Sequence, residues 1–229
     1  MADLPFNLPE PLAQRLRAAA DAEGKIVRAL DALGPLGGRD VALLGVPEGP
    51  LRESLVATGL RAHHLAAPPR AAGGGSAGRH LGLDLPDASV DVVVALWDGF
   101  QGVNEAELAE ADRVLRPEGR LLVVHDYGRD EVSSLVGDSG PQYREWSHRG
   151  GPFLRGGGFK IRVLHCFWTF PSVGDGQAFL EEAFGERGRA LGAAMKRPRV
   201  SWNVAVYHRW RGGLAPEGTP VDEAGAGGH

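Results

Sequence analysis

The chain has 229 residues, a length typical of one α/β domain with a single hydrophobic core. Hydrophobic residues make up 43% and charged residues 24%, which is the composition of an ordinary globular protein and excludes the disordered and fibrous classes. The formal net charge is −4, and the Lys and Arg residues are scattered rather than clustered. We therefore expect neither a nucleic-acid partner nor binding to an anionic membrane surface.

Two features of the chain bear on its compartment. Its single cysteine, Cys166, lies in an apolar run and cannot form an intramolecular disulfide, which is typical of a reducing compartment. The N-terminus lacks a charged stretch followed by an apolar core, and no apolar run approaches the roughly 18 residues that would span a bilayer. These features predict a cytoplasmic protein.

The first half of the chain alternates between helical and strand patterns. Apolar residues recur at helical spacing over 9–33, and an apolar run at 41–45, helical spacing over 51–58 and a second run at 61–65 follow. This succession predicts a βαβ unit. The small and Gly-rich residues of 68–78 predict a loop, at the place where a third strand and its helix would be expected.

The second half carries the clearest strand, 91–96, whose continuous apolar run is typical of a parallel strand covered on both faces. A helix capped by Asn104 and ended by residues 117–119 leads to a similar run at 121–124. Two runs with period-two alternation, 161–170 and 201–210, flank a last helix.

These elements predict an α/β fold with a doubly wound sheet. We expect one domain over 9–211, a flexible N-terminus at 1–8 and a disordered tail at 212–229, where almost no side chain could be buried.

Three segments resemble the class I S-adenosylmethionine-dependent methyltransferases. The turn after the first strand reads Gly-Val-Pro-Glu-Gly over 45–49, where that family has G-x-G-x-G. The segments 85–98 and 107–126 are similar to the fourth strand, the following helix and the fifth strand of the type 11 methyltransferase domain. Val90 in place of Phe and Glu118 in place of Gly are the departures in these segments.

The resemblance implies a Rossmann-like sheet of seven strands, mostly parallel, with 201–210 as an antiparallel last strand. It also implies S-adenosylmethionine as cofactor, and we expect a small-molecule methyl acceptor. Ligands of such sheets bind at the carboxyl ends of the strands. The cofactor-binding candidates are therefore Gly45, Val46, Pro47, Glu48, Gly49, Leu65, Asp84, Leu85, Trp97 and Asp98. We predict no metal site.

The cofactor site departs from the family pattern at three positions. Pro47 replaces the middle glycine of the turn, which fixes φ and removes an N–H group. Leu65 stands where the family has an acid for the ribose diol, and Arg79 stands where it has an acid near the adenine amine, with Asp84 the nearest substitute. Each unmet polar group costs about 1–3 kcal/mol. Two interpretations stay open: a methyltransferase with weak cofactor affinity, or a methyltransferase-like scaffold that has lost cofactor binding.

His125 and Asp126 end the predicted fifth strand and are the catalytic candidates, since either could take a proton from an acceptor. A structural histidine and a helix N-cap are the alternatives. Methyl transfer depends mainly on in-line placement, so a base is optional. The aromatic and basic residues of 143–155 predict either a lid over the crevice or a surface helix packed on the sheet. A nicotinamide-dependent oxidoreductase is disfavoured because the turn after the first strand, at 45–50, does not have the G-x-G-x-x-G pattern and no ribose acid follows it.

Overall fold

The computed structural model describes residues 8–46, 48–65, 82–97, 105–136, 146 and 148–213. In chain order its elements are α1 (Glu10–Ala19), α2 (Lys25–Leu33), β1 (Asp40–Leu44), α3 (Pro50–Val56), β2 (Arg61–Leu65), β3 (Val90–Leu96), α4 (Glu105–Val114), β4 (Leu115–Asp126), α5 (Ser133–Val136), α6 (Pro152–Arg155), β5 (Lys160–Thr169), α7 (Val173–Ala194) and β6 (Arg199–Trp210). None of these helices has the length and apolar character needed to cross a membrane.

The strands form one sheet in the order β2-β1-β3-β4-β6-β5. β1 pairs in parallel with β2 and β3, and β3 pairs in parallel with β4. β6 runs antiparallel to both β4 and β5. The predicted doubly wound sheet and its antiparallel last strand are confirmed. The strand order reverses between β1 and β3, which is where sheets of this kind bind their ligands.

The described part of the sheet has six strands, where the resemblance implied seven. Residues 66–81, between β2 and β3, include the place where we expected the additional strand, and they lie outside the described residues. Residues 1–7 and 214–229 also lie outside them. The flexible N-terminus and the disordered tail therefore stay predictions.

The sheet is covered by a hydrophobic cluster on each face, because successive side chains of a strand point to opposite faces. On the first face, α1, α2 and α7 pack against residues such as Leu43, Val94 and Trp202. On the second face, α4 and α6 pack against residues such as Val93. β3 is buried along its length except at Asp91, which explains why its sequence is a continuous apolar run.

One element boundary differs from the prediction. α4 ends at Val114, before the expected stop at 117–119, and the chain enters β4 at Leu115 because this residue pairs with Val90 of β3. Glu118, where the family has glycine, adopts a φ of 65°, a conformation that favours glycine. The strand pairing therefore overrides the local helix signal and leaves a strained residue in the turn.

Candidate functional site

A pocket of about 110 Å³ opens at the carboxyl edge of the sheet, near the switch point between β1 and β3. Its walls come from the connection between α1 and α2, from residues 48–51 at the start of α3, and from the indoles of Trp97 and Trp202. Small-molecule sites typically measure roughly 300–1,000 Å³. The described walls thus fit one part of a cofactor the size of S-adenosylmethionine, not the whole molecule.

The turn after β1 brings two of the cofactor candidates, Glu48 and Gly49, to the pocket. Gly45 has a φ of 65°, and Gly49 has φ 123° and ψ −164°, a combination that essentially only glycine adopts. Val46 is half-buried against the first-face cluster. Pro47 lies outside the described residues. The two described glycines of the motif therefore stand where the backbone requires glycine.

The inner wall of the pocket is a pair of stacked indoles. The rings of Trp97 and Trp202 lie 5.8 Å apart between centroids, with their planes 10° from parallel. Both indole N–H groups donate to the same oxygen, Oδ1 of Asp126, at 3.1 Å from Trp97 and 3.0 Å from Trp202. Trp97 has a φ of 44°, so this residue is strained at the end of β3.

The carboxyl of Asp126 is buried, with 7% of the residue exposed. Burial raises its pKa from 3.8 to about 7, and the negative charge of Asp130 acts in the same direction. The hydrogen bonds from Trp97 and Trp202 oppose this rise because they favour the charged form. Asp126 does not line the pocket; it lies behind the two indoles that do.

His125, the other catalytic candidate, lies on the opposite face of the sheet. Its ring is 4.5 Å from that of Trp146 and 6.0 Å from that of Phe153, between centroids, within the second-face cluster. Adjacent strand residues point to opposite faces, so His125 and Asp126 do not share a site. Trp146 and Phe153 belong to the segment 143–155, for which a lid and a helix packed on the sheet were the alternatives, and both are buried in the second-face cluster. Residues 143–145 and 147 lie outside the described residues.

The connection between α1 and α2 forms the outer wall of the pocket. The carboxylate of Asp21 accepts the backbone N–H groups of Lys25 at 2.9 Å and Ile26 at 2.7 Å, which satisfies the first turn of α2. Ala20 forms an antiparallel bridge with Trp168 of β5. The connection is thereby tied to the edge of the sheet and held over the strand ends.

The other cofactor candidates lie away from this pocket. Leu65 is half-buried against the second-face cluster, and Asp84 is exposed. The carbonyl of Leu85 accepts Nη1 of Arg113 at 2.9 Å, which ties this loop to α4. Asp98 lies outside the described residues. Of the described candidates, the pocket brings together Glu48, Gly49 and Trp97.

Most residues of the pocket were not among the candidates, and these include Arg17, Asp21 and Trp202. Arg17 and Asp21 belong to the N-terminal helical region, where the sequence offers helical periodicity and no motif. Trp202 was assigned only to a strand, although an aromatic residue near the start of an antiparallel strand can lie at the ligand-binding edge of the sheet.

Within the described part of the chain, no group of three or more His, Cys, Asp and Glu side chains is placed to hold a metal ion.

Comparison with known proteins gives matches in structure and none in sequence. No protein-family model matches the chain, and no curated protein matches it. A proposed methyltransferase from an antibiotic biosynthesis pathway of Anabaena variabilis matches with a TM-score of 0.52 and 14% identity, over 83% of this chain and 98% of that one.

Two further structures match at lower TM-scores. A proposed type II methyltransferase from Anaeromyxobacter dehalogenans has a TM-score of 0.47 and 22% identity, over 81% of this chain and 94% of that one. An S-adenosylmethionine-dependent methyltransferase from Aquifex aeolicus has a TM-score of 0.46 and 16% identity, over 85% and 92%. The Anabaena structure and the strand order of the sheet together show the fold. The chain has the class I methyltransferase fold.

Proposed function

We propose that this protein is an S-adenosylmethionine-dependent methyltransferase that acts on a small molecule. The observation that carries the proposal is the pocket at the switch point, because three of the predicted cofactor residues, Glu48, Gly49 and Trp97, line it together. A class I methyltransferase fold binds its ligands at this edge of the sheet.

The cofactor would lie across the ends of β1 and β3. Gly49 and Glu48 would hold its amino-acid end beside Trp97, and Gly45 would shape the turn beneath it. Its adenosine end would extend beyond the described walls toward Leu65. Leu65 offers no acceptor for the ribose diol, so we expect affinity to be weaker than a ribose acid would give.

S-adenosylmethionine, when bound, supplies an electrophilic methyl group on its sulfonium. The protein contributes placement: the indoles and the apolar side chains of the pocket exclude water and confine the reacting groups. Asp126 lies behind the indoles and His125 lies on the other face, so neither candidate base lines the pocket. We therefore propose methyl transfer that depends on placement and uses neither residue as a base.

The proposed acceptor is a small molecule that would bind beside the amino-acid end of the cofactor. The described lining of the pocket is mostly aliphatic and aromatic, with the charged side chains Arg17, Asp21 and Glu48, and Arg17 is paired with Glu10. No cluster of basic residues follows from the sequence, which disfavours a nucleic-acid acceptor. A cytoplasmic location stays a prediction.

The second candidate function is a methyltransferase-like scaffold without cofactor binding. Two observations favour it: Leu65 and Arg79 replace the expected acids, and the described pocket is small. A scaffold of this kind would act by binding a partner or a different ligand.

Calorimetric titration with S-adenosylhomocysteine separates the two functions. The proposed methyltransferase should bind one equivalent with a dissociation constant below about 1 mM, which corresponds to a binding free energy stronger than about −4 kcal/mol. If no heat of binding is detected at millimolar ligand, the scaffold function remains.

The double variant Pro47→Gly, Leu65→Asp gives a second comparison, of its affinity for S-adenosylhomocysteine with that of the wild type. A relic site should gain affinity, and a site adapted to its cofactor should not. Gly82→Ala, whose added Cβ has no neighbour within 4 Å, is the matched control.

A further inference from the structure

Asp126 is a buried carboxyl that binds two residues distant in sequence. Its Oδ1 atom accepts the indole N–H of Trp97, 29 positions earlier, and that of Trp202, 76 positions later. A carboxyl is costly to bury unless hydrogen bonds compensate for the lost water. Here the compensation comes from two indoles that line the pocket, so the carboxyl is linked to the shape of that pocket.

Trp97 needs such a restraint because its backbone is strained. Its φ of 44° is a conformation that a bulky side chain rarely adopts. Strained residues persist where the surrounding structure holds them, and they cluster at ligand sites. Three restraints act on the side chain of Trp97: the bond to Asp126, the stacking against Trp202 and its packing within the first-face cluster.

Asp126 touches the ligand wall from behind. Trp97 and Trp202 are almost completely buried, with 3% and 1% of the residue exposed, and both line the pocket. A change in either indole rotamer would fill or enlarge a pocket of only about 110 Å³. The geometry of the wall therefore depends on the acceptor atom that both N–H groups share.

We propose that Asp126 is a positioning residue: its carboxyl holds Trp97 and Trp202 in the stacked arrangement that forms the ligand-binding wall of the pocket. It acts through the indoles and does not contact the reacting groups. The identity of the ligand rests on the proposed function, whereas the clamp formed by Asp126 and the two indoles does not.

The indole N–H resonances of ¹⁵N-labelled protein test the clamp without any ligand. The chain has five Trp residues, and Trp97→Phe and Trp202→Phe assign the two relevant signals. Both signals should shift together between pH 5 and pH 9 with one midpoint, because both donors share one titrating acceptor, whose pKa is raised to about 7. In Asp126→Asn this shared titration should be absent. Two different midpoints, or a titration of only one of the two signals, would overturn the clamp.

Binding of S-adenosylhomocysteine tests the positioning role. Asp126→Ala removes the acceptor and should weaken binding at least tenfold, whereas Asp126→Asn retains an Oδ1 acceptor and should stay within threefold of the wild type. Trp97→Phe and Trp202→Phe each keep an aromatic ring and lose one N–H, so each should weaken binding at least threefold. Trp210→Phe, at the opposite edge of the sheet over Arg120, is the matched control and should bind as the wild type does.

The outcomes distinguish the two proposals. If Asp126→Ala does not fold, the two Trp→Phe variants decide, and wild-type affinity in both would overturn the positioning role. If the wild type does not bind S-adenosylhomocysteine, the proposed function fails. In that case the indole resonances decide the clamp by themselves: a shared titration supports it, and independent behaviour overturns it.

Discussion

Replacing Asp126 with Asn tests how the buried carboxyl affects stability. Burial raises the pKa of Asp126 from 3.8 to about 7, so the unfolded chain loses this proton near pH 4 while the folded chain keeps it until about pH 7. The stability associated with this group is fully present below about pH 4 and is lost as pH rises through 7. Between about pH 4 and pH 7, each pH unit lowers the free energy of unfolding by about 1.4 kcal/mol. Between pH 5 and pH 8 the wild type therefore loses about 3 kcal/mol from this group.

Urea denaturation of the wild type and of Asp126→Asn at pH 5 and pH 8 measures this loss. Other titrating groups, such as His208, whose pKa burial lowers to about 4, act equally in both proteins and cancel in the difference. The free energy of unfolding of the variant minus that of the wild type should increase by about 3 kcal/mol from pH 5 to pH 8. Asp84→Asn, which removes an exposed carboxylate, controls for the loss of one charge. A difference that stays constant for Asp126→Asn would refute the reasoning.

Three further substitutions or reactions test other parts of the structure. Gly49→Ala should lower the free energy of unfolding by about 1–3 kcal/mol, because its φ of 123° strains any side chain, and should weaken S-adenosylhomocysteine binding; Gly82→Ala should stay within about 0.5 kcal/mol in urea denaturation. Glu118→Gly should raise stability by about 0.5–1 kcal/mol, because it relieves a φ of 65°, and a lower Tm would contradict this. Cys166 is buried and its pKa is raised to about 12, so at pH 8 the folded protein should react with a thiol reagent at least roughly a hundredfold more slowly than the denatured chain. Equal rates would show an accessible thiol.

The sheet could be predicted from the sequence because its signals are local. The continuous apolar run of 91–96 reflects burial on both faces, and the alternation of 201–210 reflects a strand, β6, at the antiparallel end of the sheet. The glycines at 45 and 49 were also predictable, since a sharp turn between a strand and a helix requires positive φ. The start of β4 at Leu115 was not, because its pairing with Val90 competes with the helix signal.

The candidate site was only partly predictable because its walls meet through contacts distant in sequence. Glu48, Gly49 and Trp97 follow from the fold rule that places ligands at strand ends. Trp202 and Asp21 join them through tertiary packing that no local pattern encodes. The separation of His125 from Asp126 follows from strand alternation, so the sequence held that information. The role of Asp126 toward two indoles depends on the folded structure.

The central claim is that the pocket at the switch point is the cofactor site. A structure of crystals grown with millimolar S-adenosylhomocysteine tests it most directly. We expect the amino-acid end of the ligand to lie against Gly49 and Trp97, with its adenosine end extending toward Leu65. The indoles of Trp97 and Trp202 should remain stacked on each other, with both N–H groups donating to Asp126. A ligand bound elsewhere on the chain, or an empty pocket at that concentration, would contradict the account.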